Sequence, residues 1–286
     1  MAEHVTHRVL TGRILMAVRD WPGAGPPVVF LHSFTGNSLL ALRLGSTLAG
    51  HRRLLAPDLR GRGRSDAPFG DYGLPIHIQS VMACLDRLGV DRFVAAGHSF
   101  GGHISLYLAA EFPERVAGLI LFDGGSVAGP LAAQMLAAYY DHLQYRYASA
   151  DAYVDRFKVS PLYQPWTEEL EALVRSNLYQ QPDGSYIRAV ARYVVEAERR
   201  PENMEHWARI PGQYARIQCP TLIVRAGKGV VGEADQVIPD PQLAVMLAAM
   251  PHATAVTVPE AGHTSLMTIP SPARDAAVLK FLDDMT

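Results

Sequence analysis

Val94-Ala95-Ala96-Gly97-His98-Ser99-Phe100-Gly101-Gly102-His103 is the stretch on which the reading of this chain turns. Arg92-Phe93-Val94-Ala95-Ala96 is a short apolar run of the kind that fills a buried parallel strand. From Phe100 onward Ile104, Leu106, Tyr107 and Leu108, with the small Ala109 and Ala110, suit a helix packed closely on a sheet. The junction, Gly97-x-Ser99-x-Gly101, is a turn too tight for a β-carbon on either side of the serine. A serine at that apex must tolerate a strained backbone, and its hydroxyl is thereby pushed into a cleft. Such a pentapeptide also arises by chance, but its position between strand and helix, with Gly102 following, gives it meaning.

Working outward, the same alternation recurs. Upstream, Val5 to Val18 reads as two short strands joined at Thr11-Gly12, and Pro26 to Leu31 as a compact apolar strand. A helix over Leu39 to Ala49, a strand over Arg52 to Pro57 and a helix over Pro75 to Leu88 follow. That last helix is marked by Ile78, Val81, Met82, Leu85 and Leu88 at helical spacing. Downstream, Val116 to Phe122 is a buried strand ending at Asp123-Gly124-Gly125. Cys219 to Gly227 is another strand, with a helix over Pro241 to Met250, a last strand over Ala253 to Val258 and a C-terminal helix to Met285. Strands alternating with helices imply a parallel sheet with right-handed crossovers, and functional groups gather at the carboxyl ends of such strands.

The rhythm breaks between Ser126 and Ala215. This segment holds ten of the twelve tyrosines and two of the three tryptophans, in helical stretches interrupted at Pro161, Pro165, Pro182 and Pro201. No alternating strand pattern is visible there, and a run of this length is too long for a structureless loop. Tyr139, Tyr140, Tyr145, Tyr147, Tyr153 and Trp166 are candidates to line an aromatic pocket; each alone is better explained by packing helices onto the core.

Composition narrows the field. The chain has 286 residues, 49% hydrophobic and 19% charged, with a net charge of −2, which leaves no electrostatic footprint for nucleic acid or an anionic membrane. No apolar run is long enough to span a bilayer, and Met1 to His7 lacks a signal-peptide pattern, so a cytoplasmic location is expected. Cys84 and Cys219 read as free thiols of a reducing compartment, and no Cys/His cluster has metal-ligand spacing. Neither a metal nor a cofactor is expected. The partner to expect is a small-molecule substrate; a homodimer stays open.

The strand-serine-helix element resembles the nucleophile elbow of the α/β-hydrolase superfamily, and the resemblance runs from about Val28 to Phe281, in architecture only through the middle third. It implies an α/β fold: a mostly parallel central sheet flanked by helices (residues 1–125 and 216–286), with an inserted helical cap over residues 126–215. Asp58-Leu59-Arg60-Gly61-Arg62-Gly63-Arg64-Ser65 resembles the D-x-x-G-x-G-x-S connection of that superfamily, which is structural. By the same resemblance, His32-Ser33-Phe34 and the elbow would supply an oxyanion hole from the backbone N–H groups of Phe34 and Phe100. Ser33 stands where glycine is usual and is read as a turn residue, and His32 as a structural hydrogen-bonding residue.

Ala261-Gly262-His263 after the last strand resembles the catalytic histidine loop, which assigns Ser99 as nucleophile and His263 as base. The acid is less settled. Asp123, at the end of the preceding core strand, is preferred. Asp235, in a D-x-x-V-P sequence eight residues beyond Gly227, is the runner-up, and Glu233 comes third. The expected activity is cofactor-independent cleavage of an ester, lactone, amide or activated C–C bond in a small apolar or aromatic substrate. A hydroxynitrile-lyase type of lyase, or a receptor retaining the triad, are the alternatives.

Overall fold

The computed structural model describes residues 2–140 and 145–285, and for 138–140 the backbone only. The chain opens with β1 (Val5–Thr11) and β2 (Ile14–Trp21), then β3 (Val28–Leu31), α1 (Leu42–Leu48), β4 (Leu54–Pro57) and α2 (Leu74–Arg87). The elbow contributes β5 (Phe93–His98) and α3 (Phe100–Glu111), followed by β6 (Val116–Phe122). After an insertion come β9 (Thr221–Ala226), α9 (Asp240–Ala249), β10 (Ala253–Val258), α10 (Ser265–Thr268) and α11 (Pro272–Asp283). The insertion holds α4 (Pro130–Tyr140), α5 (Ala150–Lys158), α6 (Glu168–Ser176), β7 (Leu178–Gln180), β8 (Tyr186–Arg188), α7 (Arg192–Glu198) and α8 (Pro201–Ala208).

The main sheet has the spatial order β1-β2-β4-β3-β5-β6-β9-β10. β1 and β2 pair antiparallel and β2 lies antiparallel to β4, while every pair from β4 to β10 is parallel. The strands β3, β4 and β5 are buried on both faces, as their unbroken apolar runs require. Crossovers run to one side of β3 and then to the other, so the topology switches between β3 and β5, where a ligand crevice is expected. Register does the rest. Leu31 pairs with Gly97, His98 with Phe122, and Phe122 with Val224, so the segments starting at His32, Ser99 and Asp123 leave the sheet side by side.

Local signals set the element ends. α2 starts with Pro75 in its first turn and buries His77, Ile78, Val81, Met82 and Leu85, one face at helical spacing. In the insertion, the Ser149 hydroxyl accepts from Ala152 N at the start of α5, and Thr167 accepts from Leu170 N at the start of α6. Pro161 opens a single 3-10 turn and Pro201 opens α8, so two of the expected interruptions are helix starts. The expectation of no strands in this segment is corrected: β7 and β8 form a hairpin across Gln181–Ser185, and Tyr147 bridges to Tyr186. Three residues per strand are too few for a period of two to register in the sequence. Cys84 and Cys219 are free thiols. Among the described residues no helix is long and apolar enough to cross a membrane, and no cluster could hold a metal ion.

Candidate active site

Ser99 sits between β5 and α3 at φ 54°, ψ −116°, a conformation that costs a non-glycine residue free energy and persists only when its surroundings impose it. Here the surroundings do. A β-carbon on Gly97 would fall on the Gly101 carbonyl, and one on Gly101 would fall on the Leu31 carbonyl, so both positions must be glycine for α3 to approach β3 and β5 this closely. Ser99 N donates to Phe122 O at 3.1 Å, tying the turn to β6. The N–H of Phe100 opens a twelve-residue helix, where the first-turn donors have no intrahelical acceptor and the dipole favours negative charge.

Asp123 leaves β6 with φ 43° and is buried. Its Oδ1 accepts from Ala226 N at 3.2 Å and its Oδ2 lies 2.7 Å from His263 Nδ1. A carboxylate facing Nδ1 fixes the proton there and leaves Nε2 with a lone pair. The His263 backbone is held in turn: its N donates to Gly229 O at 3.2 Å, and its carbonyl accepts from His98 Nε2 at 2.8 Å. The His98 ring lies tilted on the His263 ring, centroids 4.7 Å apart. Burial first, and the neighbouring His263 second, push His98 well below the usual imidazole value, so it stays neutral. Ser99 and His263 line the same small cleft. No hydrogen bond joins these two described side chains.

The rival acids lie elsewhere. Asp235 is buried, but its carboxylate caps its own loop, accepting from Val231 N and Gly232 N at 2.9 Å each. Glu233 is exposed. The carboxylate on His263 is that of Asp123.

The loop after β3 brings Phe34 against the elbow, its ring 5.2 Å from that of Phe100 in an edge-on contact. The carbonyl of Ser33 accepts from Gly36 N at 3.0 Å, closing a turn over 33–36. His32 Nε2 accepts from Leu59 N at 3.0 Å, so Nδ1 carries the proton and donates to Ser33 O at 2.8 Å. Burial drives this ring down to about 4. The Asp58 carboxylate accepts from Ser38 N and Arg64 N, which makes the Asp58–Ser65 loop a structural hub.

One cluster escaped the sequence reading. Arg62 is buried, donates from Nε to Phe34 O at 3.0 Å, and pairs with Glu198 of α7 at 2.6 Å. His77 meets the other oxygen of Glu198, also at 2.6 Å. The Arg62 guanidinium lies 5.2 Å from the Phe34 ring centroid and 5.7 Å from that of Phe100. Burial alone would raise the Glu198 carboxyl, but Arg62 and His77 outweigh it and hold the group below its usual value. The sequence did carry a signal: Glu198 follows Val194 and Val195 at helical spacing, a charge on an apolar face.

Of the candidate pocket aromatics, the described ones do not line the cavities at Ser99. Tyr147 and Tyr153 are buried against each other, Tyr145 is exposed, and Trp166 donates to Glu171 at 3.2 Å; the side chains of Tyr139 and Tyr140 lie outside the described residues. From the insertion, Tyr163 and Trp207 are the described aromatic residues lining the two cavities at Ser99.

A family model described as the alpha/beta hydrolase fold matches residues 26–270. An uncharacterized protein of Mycobacterium tuberculosis is 34% identical over 105 residues, 37% of this chain and only 31% of that protein's length. A putative carbamate hydrolase, RutD, of Klebsiella pneumoniae is 28% identical over 267 residues, covering 90% of this chain and 91% of its own. The crystal structure of an E-2-(acetamidomethylene)succinate hydrolase superposes with a TM-score of 0.82, covering 98% of this chain and all of that one. At 23% identity that likeness speaks for the fold alone.

Proposed function

This chain belongs to the α/β-hydrolase fold family, and from that premise we propose that it is a cofactor-independent serine hydrolase with the triad Ser99, His263 and Asp123. The 2.7 Å contact between Asp123 Oδ2 and His263 Nδ1, in the cleft that Ser99 also lines, carries this reading. The hydrolase names of relatives agree with it in reaction class. Residues 1–125 and 216–286 form the catalytic core in this reading, and residues 126–215 a cap over it.

Ser99 Oγ attacks the scissile carbonyl carbon while its proton passes to His263 Nε2. The carbonyl π pair moves onto oxygen, and the N–H groups of Phe34 and Phe100 stabilise the oxyanion. Collapse breaks the bond to the leaving group, which takes the proton from His263 and departs. Water, deprotonated by His263, then attacks the acyl-enzyme; the carboxylic acid leaves and Ser99 recovers its proton. Asp123 keeps the imidazole in the useful tautomer and stabilises its charged form. The bond cleaved is an ester, lactone, amide or activated C–C bond of a small apolar or aromatic substrate.

The test is labelling with an organophosphonate followed by peptide mass spectrometry. One adduct is expected, on the peptide carrying Ser99, and none in Ser99→Ala. An adduct elsewhere, or none in folded protein, would refute the assignment.

A further inference from the structure

Two cavities of unlike character meet at Ser99. One is a cleft of about 60 Å³ where Asn177, Arg188 and His263 share the wall with Leu162, Tyr163 and Leu173. The other is a chamber of about 360 Å³ bordered by Phe100, Ala133, Leu136, Met204, Trp207 and Val237. Trp207 stacks on Phe100 at 5.5 Å, and the His103 imidazole, 5.1 Å from Trp207, donates from Nε2 to Ser126 O. Burial pushes His103 down to about 4, so this wall is uncharged at neutral pH. The small cleft has the buried Arg188 and Asn177 among its apolar residues, whereas the arginine bordering the chamber, Arg199, is exposed.

Among the described residues, His263 borders the small cleft and not the chamber. That asymmetry orients the substrate. The base that takes the Ser99 proton must return it to the leaving atom, so the leaving group has to lie on the side of His263. The acyl group, bonded to Ser99, then extends the other way. We infer that the chamber under Trp207 holds the acyl part and the cleft beside Arg188 holds the leaving group, which makes the substrate class esters of a medium-length apolar acid with a small alcohol. The chamber, at about 360 Å³ against about 60 Å³ for the cleft, is the side with room for the longer chain. This assignment rests on Ser99 and His263 being nucleophile and base.

Methyl octanoate and heptyl acetate are isomers with the same carbon chain on opposite sides of the ester, so they differ in the demand they place on the two cavities. The unmodified protein should hydrolyse methyl octanoate with a kcat/KM at least about tenfold higher, since each methylene moved into an apolar chamber is worth about fourfold. Equal rates, or preference for heptyl acetate, would overturn the orientation while leaving the serine hydrolase intact. No turnover of either ester, with a small sulfonyl fluoride still labelling Ser99, would overturn the substrate class alone; no label either would overturn the nucleophile itself. A second measurement follows methyl esters of increasing acyl length in Ala133→Phe, which places a ring in the chamber. The length optimum should move to shorter acids by several carbons. An unchanged profile in a variant with the wild-type melting temperature would sink the assignment.

Discussion

The rim of the sheet and the helical insertion both contribute walls to the site, but different physics holds them. On the rim, position is a matter of backbone. Ser99, Asp123 and the loop of Phe34 leave adjacent strands whose register is set by paired residues, and glycines at 97 and 101 make the close approach sterically feasible. The insertion is attached by side chains. The Glu198 carboxylate reaches Arg62 and His77, and Asn177 Oδ1 accepts from Asn37 Nδ2 at 2.9 Å. Its own apolar residues complete clusters begun by the core, as Val190, Val194 and Val195 do on one face and Tyr153, Val154 and Phe157 on the other. A reacting group held by the backbone can be placed to within a fraction of an ångström, and a wall held by side chains can change shape without disturbing it.

The largest effect should come from breaking the rim. In Asp123→Asn the side chain keeps its size but loses the charge that stabilises imidazolium, and it favours the wrong tautomer of His263; kcat should fall by about 10⁴ with the fold intact. Asp235→Asn is the control. Its carboxylate serves two loop N–H groups, so turnover should change by less than about tenfold while stability drops by about 1–2 kcal/mol. Steady-state kinetics and thermal melts of both variants decide the matter. A collapse of kcat in Asp235→Asn alone would transfer the acid role to that loop.

This contrast also explains what could be read from the chain beforehand. In the proposed triad, Ser99 and His263 could be picked out because each comes shortly after a strand, buried for β5 and mostly part-exposed for β10. The acid was less clear, since Asp123 lies directly at a strand end while Asp235 carries the D-x-x-V-P sequence but comes eight residues after Gly227. What separates them is that residues 229–235 close on themselves, with Gly229 N donating to Gly232 O and Asp235 capping the turn, so its carboxylate is spent within its own loop. The insertion was legible as helices but not as a surface. Glu198 meets Arg62 across 136 positions and Asn177 meets Asn37 across 140, contacts that no local pattern encodes. The same holds for the pocket: aromatic content marked the region, but packing decided that Tyr163 and Trp207 line cavities while Tyr147 and Tyr153 fill the interior.

A smaller effect should come from cutting the attachment. Glu198→Gln keeps shape and hydrogen-bonding groups but leaves the buried Arg62 charge uncompensated, which typically costs about 3–5 kcal/mol. Because Arg62 also holds the Phe34 carbonyl, kcat should fall along with the melting temperature. Denaturant melts and kinetics on the same preparation read both. If stability fell by less than about 1 kcal/mol, the insertion would be held by apolar packing and the ion pair would serve only to orient Arg62.

The smallest effect is expected from mild acid, and it should fall on the rim. His32, His98 and His103 are buried as neutral rings, each hydrogen-bonded to core backbone: His32 to Ser33 O and Leu59 N, His98 to His263 O, His103 to Ser126 O. Burial lowers all three, His32 and His103 to about 4. A folded-state value below the unfolded one, near 6.5, means that the unfolded chain binds more protons between the two. The stability is therefore fully present above about pH 6.5 and is lost as pH falls toward about 4. From about pH 6.5 to 5.5, His32 and His103 should together remove roughly 2 kcal/mol, with His98 acting in the same direction. Calorimetric melts in buffers of differing ionisation enthalpy should register an uptake of about two protons or more on unfolding at the lower pH. Hydrogen exchange locates the loss. Peptides around Leu59, the elbow and Ser126 should lose protection on acidification before those of α5 and α6. If the insertion loosened first and the core amides kept their protection, the division between a backbone-held rim and a side-chain-held wall would be the wrong one.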